Sequence, residues 1–467
     1  MNIRISPEAQ QIITPQQAWH YKIIPHSKTE EEIVFFITEG QCLVIQDELE
    51  ILFLQNIKFV FESEEDIERA LIKYYRRNKR TTTTYDGNSN DFLPFLITDA
   101  KQLGSSDIHI EVYEERCRVR VRIDGRLVER YKIEEKDYPS LINKVKIMAG
   151  LDIAEKRLPQ DGRIFFKDAS TKMDIRVSVL PTLHGEKIVL RLLNNDATNI
   201  QLDSLGFEKN QLQDYIESVK KPHGIVLISG PTGSGKTTTL YATLKLLNQE
   251  HTNIVTIEDP IEYTLEGINQ VQLKESIGLN FISALRSFLR QDPDVIMVGE
   301  IRDADTASMA IRASLTGHLV LSTIHTNSAW GSVSRLIDMG IPSYLVANTL
   351  NTTVAQRLVR KLCTCKEKQE FKEELYPRRF KSIKKVKSHY TAKGCEQCHY
   401  TGYKGRIALY EIIPIDSELA QCVKEKQFDV TEQLISRDIS SLAQNAFNLF
   451  ETGKTSLEEI YPILINF

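Results

Sequence analysis

Residues 230–237 read Gly230-Pro231-Thr232-Gly233-Ser234-Gly235-Lys236-Thr237, a complete G-x-x-x-x-G-K-[ST] pattern. Its chemistry is the cradling of a polyphosphate. The glycines let backbone N–H groups converge on one concavity, Lys236 reaches the outer phosphates, the Thr237 hydroxyl is suited to Mg²⁺, and a helix starting there, through Thr238, adds its positive end. That reading needs a strand before the loop and a helix after it. The apolar run Ile225–Ile228 and the periodic segment Thr238–Leu247 supply both. The pattern therefore implies binding of a nucleoside triphosphate.

Two acidic groups follow. Asn253–Ile257 reads as a strand that delivers Glu258, Asp259 and Glu262 to its C-terminal end, and Val295–Val298 reads as a second that delivers Gly299 and Glu300. Ligands bind at that edge of an open α/β sheet, where a carboxylate can hold Mg²⁺ or orient a water for in-line attack. Gly299 stands where the Asp that supports Mg²⁺ usually closes the second motif. Two assignments stay open: Glu300 serves the metal while a Glu of the first group polarises water, or Glu300 is itself the base.

His318 and His325 bracket a third strand, Leu319–Thr323. They could sense the γ-phosphate, contact a neighbouring subunit, or simply hydrogen-bond backbone. In the hairpin Met173–Leu193, closing the turn symmetrically pairs Leu180 with Lys187 and sets Arg176 opposite Arg191. Like charges directly across a strand pair are destabilising unless an anion lies between them. The pair is expected to grip the γ-phosphate of ATP bound to an adjacent subunit, or else to point to solvent or pair with carboxylates such as Asp174.

Four of the seven cysteines form two groups, Cys363-Thr364-Cys365 and Cys395-Glu396-Gln397-Cys398. Two close thiol pairs read as a structural Zn²⁺ site, although a C-x-C pair is less suited than C-x₂-C to a knuckle around the metal. Unliganded thiols on a loop are the other reading. Cys42, Cys117 and Cys422 are scattered and are expected to be reduced, half-buried thiols. Between the pairs lies a basic stretch with Arg378-Arg379 and Lys384-Lys385-Val386-Lys387. It is a solvated face or a contact for acidic lipid or a membrane partner.

The elements that must position these groups can be sketched from periodicity. Residues 1–78 mix alternating strands, such as Glu32–Ile37, with a helix Glu64–Tyr75 capped by Ser63 and Asp66. Residues 79–91 read as a linker. Residues 92–200 open with a helix to Leu103, continue through strands at 107–111 and 117–123 and a turn at Asp124-Gly125, then a helix through Met148 and the arginine hairpin. Residues 201–467 hold the phosphate loop, with a cysteine insertion at 361–405 and a helical C-terminus over 412–467. The 467 residues, 41% hydrophobic and 26% charged, suit a soluble globular chain, and a net charge of −4 gives no global attraction to nucleic acid. No window has the apolar length of a membrane span, and the N-terminus lacks a signal-peptide pattern, so a cytoplasmic place is expected.

Together these residues resemble the secretion and pilus-assembly traffic ATPases, the type II secretion and type IV pilus extension enzymes. The stretches that carry the resemblance are Ser106–Glu111, Arg122–Gly125, Gln160–Arg163, Gly185–Lys187, the phosphate loop, Glu258–Glu262, Arg290–Asp294, Gly299–Asp303, Leu315–His318, His325–Asn327 and Thr401–Arg406, within residues 92 to about 411. In that family Gly precedes the Glu of the second motif, as here. The resemblance implies an α/β fold: a RecA-like P-loop NTPase core preceded by a smaller α+β (PAS-like) domain and a short N-terminal α/β module. It implies a homohexamer that uses ATP, Mg²⁺ and Zn²⁺ and is peripheral on the cytoplasmic face of the inner membrane. Its partners would be a platform protein and the cytoplasmic domain of an inner-membrane assembly protein. It further implies that Glu258 to Glu262 form an acidic box, Glu300 is the glutamate of the second motif, His318 and His325 form a histidine box, Arg176 and Arg191 reach the nucleotide, and the four cysteines hold zinc.

Three other readings compete. Retraction ATPases of the pilus share the core, but as a group they lack an added N-terminal module and cysteine pairs. A ring translocase for nucleic acid shares the fold, but the chain has no aromatic-plus-basic strand track. A nucleotide-gated scaffold would bind ATP without turnover.

Overall fold

The computed structural model describes residues 3, 5, 9, 12–13, 17–18, 21–29, 32–38, 42–53, 55–74, 83–85, 92–168, 171–193, 200–371, 375–377, 380 and 384–465. They divide into two compact units, one of residues 1–90, 111–120 and 129–139, the other of 91–110, 121–128 and 140–467.

In the first unit β1 (Ile24–Lys28), β2 (Glu32–Ile37) and β3 (Asn56–Phe61) form a sheet in that order, antiparallel then parallel. The helices α1 (Cys42–Phe53) and α2 (Glu64–Tyr74) contribute Leu49, Ile67 and Leu71 to a core with Ile33, Phe35 and Ile37. The start of α2 is capped as its sequence suggests, the Asp66 N–H donating to Ser63 Oγ at 3.2 Å. Of the expected linker, β4 (Thr83–Tyr85) is a strand lying parallel to residues 131–133, and the remainder is outside the described residues.

The second unit begins with α3 (Phe92–Gln102), and the chain runs on through β5 (Ser105–Val112), β6 (Cys117–Ile123), β7 (Arg126–Ile133), α4 (Tyr138–Met148), β8 (Gln160–Asp168), β9 (Thr171–Thr182) and β10 (Gly185–Leu193). The turn before β7 has Asp124 at φ 47° and Gly125 at φ 87°, the double positive φ of a tight hairpin. The strand β7 itself was not anticipated, because its charged, half-exposed sequence buries only Tyr131 and Ile133 and shows no clear alternation. The β9–β10 register does match expectation: Lys187 faces Leu180 and Arg191 faces Arg176. An unanticipated strand, β8, adds to the other side of β9 and sets Arg163 opposite Arg176.

The sheet that leads into the phosphate loop has seven strands in the order β13-β12-β14-β15-β11-β16-β19. They are β11 (Gly224–Ser229), β12 (Ile254–Glu258), β13 (Asn269–Gln272), β14 (Val295–Val298), β15 (Leu319–Ile324), β16 (Leu350–Leu362) and β19 (Tyr403–Pro414); only the β16–β19 pair is antiparallel. Every residue of β11, β12, β14 and β15 is buried, which is why these segments read as unbroken apolar runs. Alternate residues feed two cores. Val226 and Ile228 face α5 (Lys209–Val219) and α6 (Lys236–Leu247), while Ile225 and Leu227 join a cluster with α7 (Phe281–Phe288) and α8 (Ala304–Leu315). That second cluster extends through α9 (Gly331–Asp338) and α10 (Ser343–Thr349) to the C-terminal helices α11 (Ser417–Lys424), α12 (Thr431–Ser436), α13 (Leu442–Glu451) and α14 (Leu457–Leu464). A small hairpin of β17 (Glu367–Glu370) and β18 (Ser388–Thr391) lies between β16 and β19 in the chain. No helix among the described residues is long and apolar enough to cross a membrane.

Candidate nucleotide site and cysteine cluster

Parallel strands deliver their C-terminal ends to one edge, so the segments after β11, β12, β14 and β15 meet there. The phosphate loop joins β11 to α6, with Gly235 at φ 89° immediately before the first helical residue, Lys236. Gly230 has φ 148°, and a Cβ there would come within 2.5 Å of the Gln356 carbonyl oxygen and 2.7 Å of Ser234 Oγ. Only glycine fits so close a backbone approach. Lys236 Nζ donates to the carbonyls of Gly230 (2.8 Å) and Pro231 (3.1 Å), and the buried Ser234 hydroxyl has no hydrogen-bond partner among the described residues. An orphan hydroxyl, a lysine and a helix N-terminus in one glycine-lined cradle fit an anionic polyphosphate. Burial pushes the Lys236 ammonium below the usual lysine range and Arg357 pushes the same way, while the Glu300 carboxylate opposes both.

Glu300, just past β14, pairs with Arg302 and lies 3.4 Å from Nε2 of His325, which follows β15. Arg302 also reaches Asp259 at 3.5 Å. Glu258 is in a different situation. It is 3% exposed and accepts from Thr256 Oγ1 (2.7 Å), Gln270 Nε2 (3.1 Å) and the Tyr241 hydroxyl, so most of its acceptor capacity is used inside the fold. Glu262 is more open and sits 3.3 Å from Nη1 of Arg176, whose other nitrogen donates to the Ile261 carbonyl. Arg191 donates to Asp107 at 3.0 Å, and Asp107 also takes Arg122 at 3.2 Å. Arg163 takes Asp174. The row of arginines Arg163, Arg176 and Arg191 is thus compensated within the chain by Asp174, Glu262 and Asp107.

His318 does not join this group. It precedes β15, where its carbonyl accepts from the Gly224 N–H at 3.2 Å, and its Nδ1 lies 2.8 Å from the Ala313 carbonyl, at the edge opposite the phosphate loop. Sequence reasoning passed over Arg302, Tyr241, Gln356 and Arg357. Arg302 lies in the stretch Gly299–Asp303, two residues past Glu300, and was within reach. The others sit inside a helix or strand and carry no local signal.

The cysteine pairs do come together. Sγ atoms of Cys363, Cys365, Cys395 and Cys398 all lie within 4.8 Å of one another, with Cys363–Cys395 at 3.8 Å, Cys365–Cys398 at 3.9 Å and Cys395–Cys398 at 3.8 Å. A tetrahedral ZnS₄ centre with Zn–S of about 2.3 Å has S···S edges of roughly 3.8 Å. The donor set fits zinc, C-x-C spacing included, and the Gly402 N–H donates to Cys398 Sγ at 3.3 Å as an outer support. Cys117 and Cys422 are buried free thiols. Of the basic stretch, Arg378 and Arg379 are outside the described residues, and Lys384 pairs with Glu451 at 3.3 Å.

With this geometry in view, the comparisons with known proteins are specific. The Type II/IV secretion system protein family matches residues 85–462. The chain belongs to this family. It is 40% identical to the type IV pilus assembly ATPase PilB of Myxococcus xanthus over 98% of this chain and 86% of that protein. It is 46% identical to the type II secretion system ATPase E of Vibrio cholerae over 79% of this chain and 74% of that one. Among solved structures, the pilus retraction motor PilT with bound ADP superposes with a TM-score of 0.53 at 26% identity, covering 78% of this chain and 94% of that chain. The Legionella pneumophila ATPase DotB gives 0.60 at 23% identity over 82% and 97%, a likeness of fold. The loop Gly230–Thr237 and the carboxylates after β12 and β14 stand at one edge of a RecA-like sheet.

Proposed function

We propose that this protein hydrolyses ATP as a homohexameric ring on the cytoplasmic face of the inner membrane and drives assembly of a type II secretion pseudopilus or a type IV pilus through a platform protein. The chain is a secretion or pilus-assembly ATPase; ring, membrane place and partners are our reading. The observation that carries the catalytic part is the meeting of Lys236, Glu300 and His325 at one sheet edge. In this reading ATP lies along residues 230–238 with Mg²⁺ on Thr237, Glu300 orients the attacking water or supports the metal, Arg176 and Arg191 stabilise transferred charge, and zinc holds the four cysteines. Residues 1–78 would dock to the cytoplasmic domain of an assembly protein, 92–200 would form the PAS-like domain, and 201–467 the motor domain. The match to the M. xanthus pilus ATPase, which takes in nearly the whole chain, supports a shared N-terminal module.

The likeness to a retraction motor keeps pilus retraction as a second reading, against which the cysteine cluster and the N-terminal unit both weigh. Turnover of the purified chain decides. ATPase activity raised by the platform protein's cytoplasmic domain and indifferent to DNA is the expected result. Stimulation by DNA would point to a nucleic-acid translocase, and binding without turnover to a scaffold.

A further inference from the structure

Two opposite charges stand on the strands that follow β11 in the sheet order, Arg357 half-buried on β16 and Glu411 buried on β19. Arg357 of β16 and Glu411 of β19 lie on the same sheet face, since Glu411 is opposite Ala355 and Arg357 is two residues further along. Arg357 is half-buried and donates to the carbonyls of Asn327 (2.9 Å) and Gln356 (3.0 Å). Its Nη1 is 3.2 Å from where a Gly230 Cβ would stand, so the guanidinium lies against the phosphate loop itself. Glu411 is 7% exposed. One of its oxygens accepts from the Ala329 N–H at 2.7 Å and the other from the Leu442 N–H, at the start of α13, at 3.1 Å.

The loop following His325 is therefore held at two points, by a cation on the Asn327 carbonyl and a carboxylate on the Ala329 N–H. We propose that Arg357 and Glu411 are positioning residues that clamp the loop carrying His325 against the phosphate loop and tie it to α13, passing the nucleotide state to the C-terminal helices. Burying such charges costs free energy that an apolar pair would not; here both hold backbone groups of one loop, at Asn327 and Ala329, and Glu411 also holds the Leu442 N–H at the start of α13. Burial raises the Glu411 carboxyl above the usual range, and the two N–H donors and Arg357 offset only part of that rise. A gap of even an ångström at His325 would be felt in turnover rather than in nucleotide binding.

The inference rests on the proposed hydrolysis, and the test separates the two. The full chain, Glu411→Gln and Arg357→Lys are compared for kcat and KM for ATP, for affinity toward an imido ATP analogue, and for amide hydrogen exchange with and without that analogue. The glutamine presents an NH₂ group to a backbone N–H, and the lysine has no planar fork to span two carbonyls. Each variant is expected to lose kcat by about 10- to 100-fold with KM within about threefold of the parent. In the parent the analogue slows exchange in 325–331 and in 441–446; in Glu411→Gln the second effect disappears. Parental kcat in both variants, retained analogue-dependent protection of 441–446 in Glu411→Gln, or loss of analogue affinity in step with kcat would each overturn the clamp. Should Glu411→Gln fail to fold, Arg357→Lys carries the kinetic test alone. A parent that binds the analogue without turnover would sink the hydrolysis reading, while exchange still decides the clamp.

Discussion

At the scale of single residues, three glutamates compete for the catalytic role, and their surroundings separate them. Glu258 accepts three hydrogen bonds in a buried pocket, Glu262 faces Arg176, and Glu300 is the one in contact with His325 and acting on the charge of Lys236. Glu300→Gln is therefore expected to lower kcat by about 10²- to 10³-fold with ATP affinity retained, the size of effect seen when one preorganised electrostatic group is removed. Glu258→Gln should behave differently. Its new NH₂ would oppose the donors Thr256, Tyr241 or Gln270, so a lower melting temperature, by roughly 1–3 kcal/mol of stability, should accompany any fall in rate. A Glu300→Gln enzyme with parental turnover, or a Glu258→Gln enzyme of unchanged melting temperature, would contradict these assignments.

At the scale of elements, the hairpin β9–β10 must hold its arginines in place, and a buried ion pair anchors it. Lys146 of α4 is fully buried and donates to Glu186 at the start of β10 and to the Glu155 carbonyl, both at 2.7 Å. Lys146→Met leaves Glu186 buried without its cation and is expected to cost about 3–5 kcal/mol in denaturant titration, with Lys146→Met/Glu186→Leu recovering part of the loss. A double variant no more stable than the single one would mean that the pair is not the anchor. The cysteine cluster is testable by content: the purified chain should carry one zinc, lost together with thermal stability in Cys395→Ser, whereas metal-free protein of parental stability would favour unliganded thiols. What the sequence disclosed and what it withheld divide along physical lines. Fully buried parallel strands are continuous apolar runs, so β11, β12, β14 and β15, with the carboxylates that end β12 and follow β14, were readable, and symmetric closure of one turn yielded the Arg176–Arg191 register. The strand β7, with two buried residues, was not. Nor was the placing of His318 at the far edge, which depends on strand direction, or Glu411, whose partner Ala329 is 82 residues away.

For the whole molecule, the proposed ring raises the question of which subunit supplies the arginines. Arg191 is 59% exposed and its carboxylate Asp107 is shared with Arg122, so releasing it toward another copy leaves Asp107 paired; Arg176 is engaged with Glu262 of its own acidic box. We expect Arg191 to act in trans, across a head-to-tail ring interface. Lys236→Ala removes the phosphate-loop cation and Arg191→Ala the arginine, so each homogeneous assembly should be nearly inactive. Mixed in equal amounts, an intact loop of one variant meets an intact arginine of the other at about one interface in four of a randomly assembled ring, and ATPase activity should recover to roughly that fraction of the parent. An arginine acting in cis predicts no recovery at any mixing ratio, because no single subunit then carries both groups. The same mixture made with Arg176→Ala should stay inactive if the Glu262 contact is the working one, and recover equally if both arginines reach across.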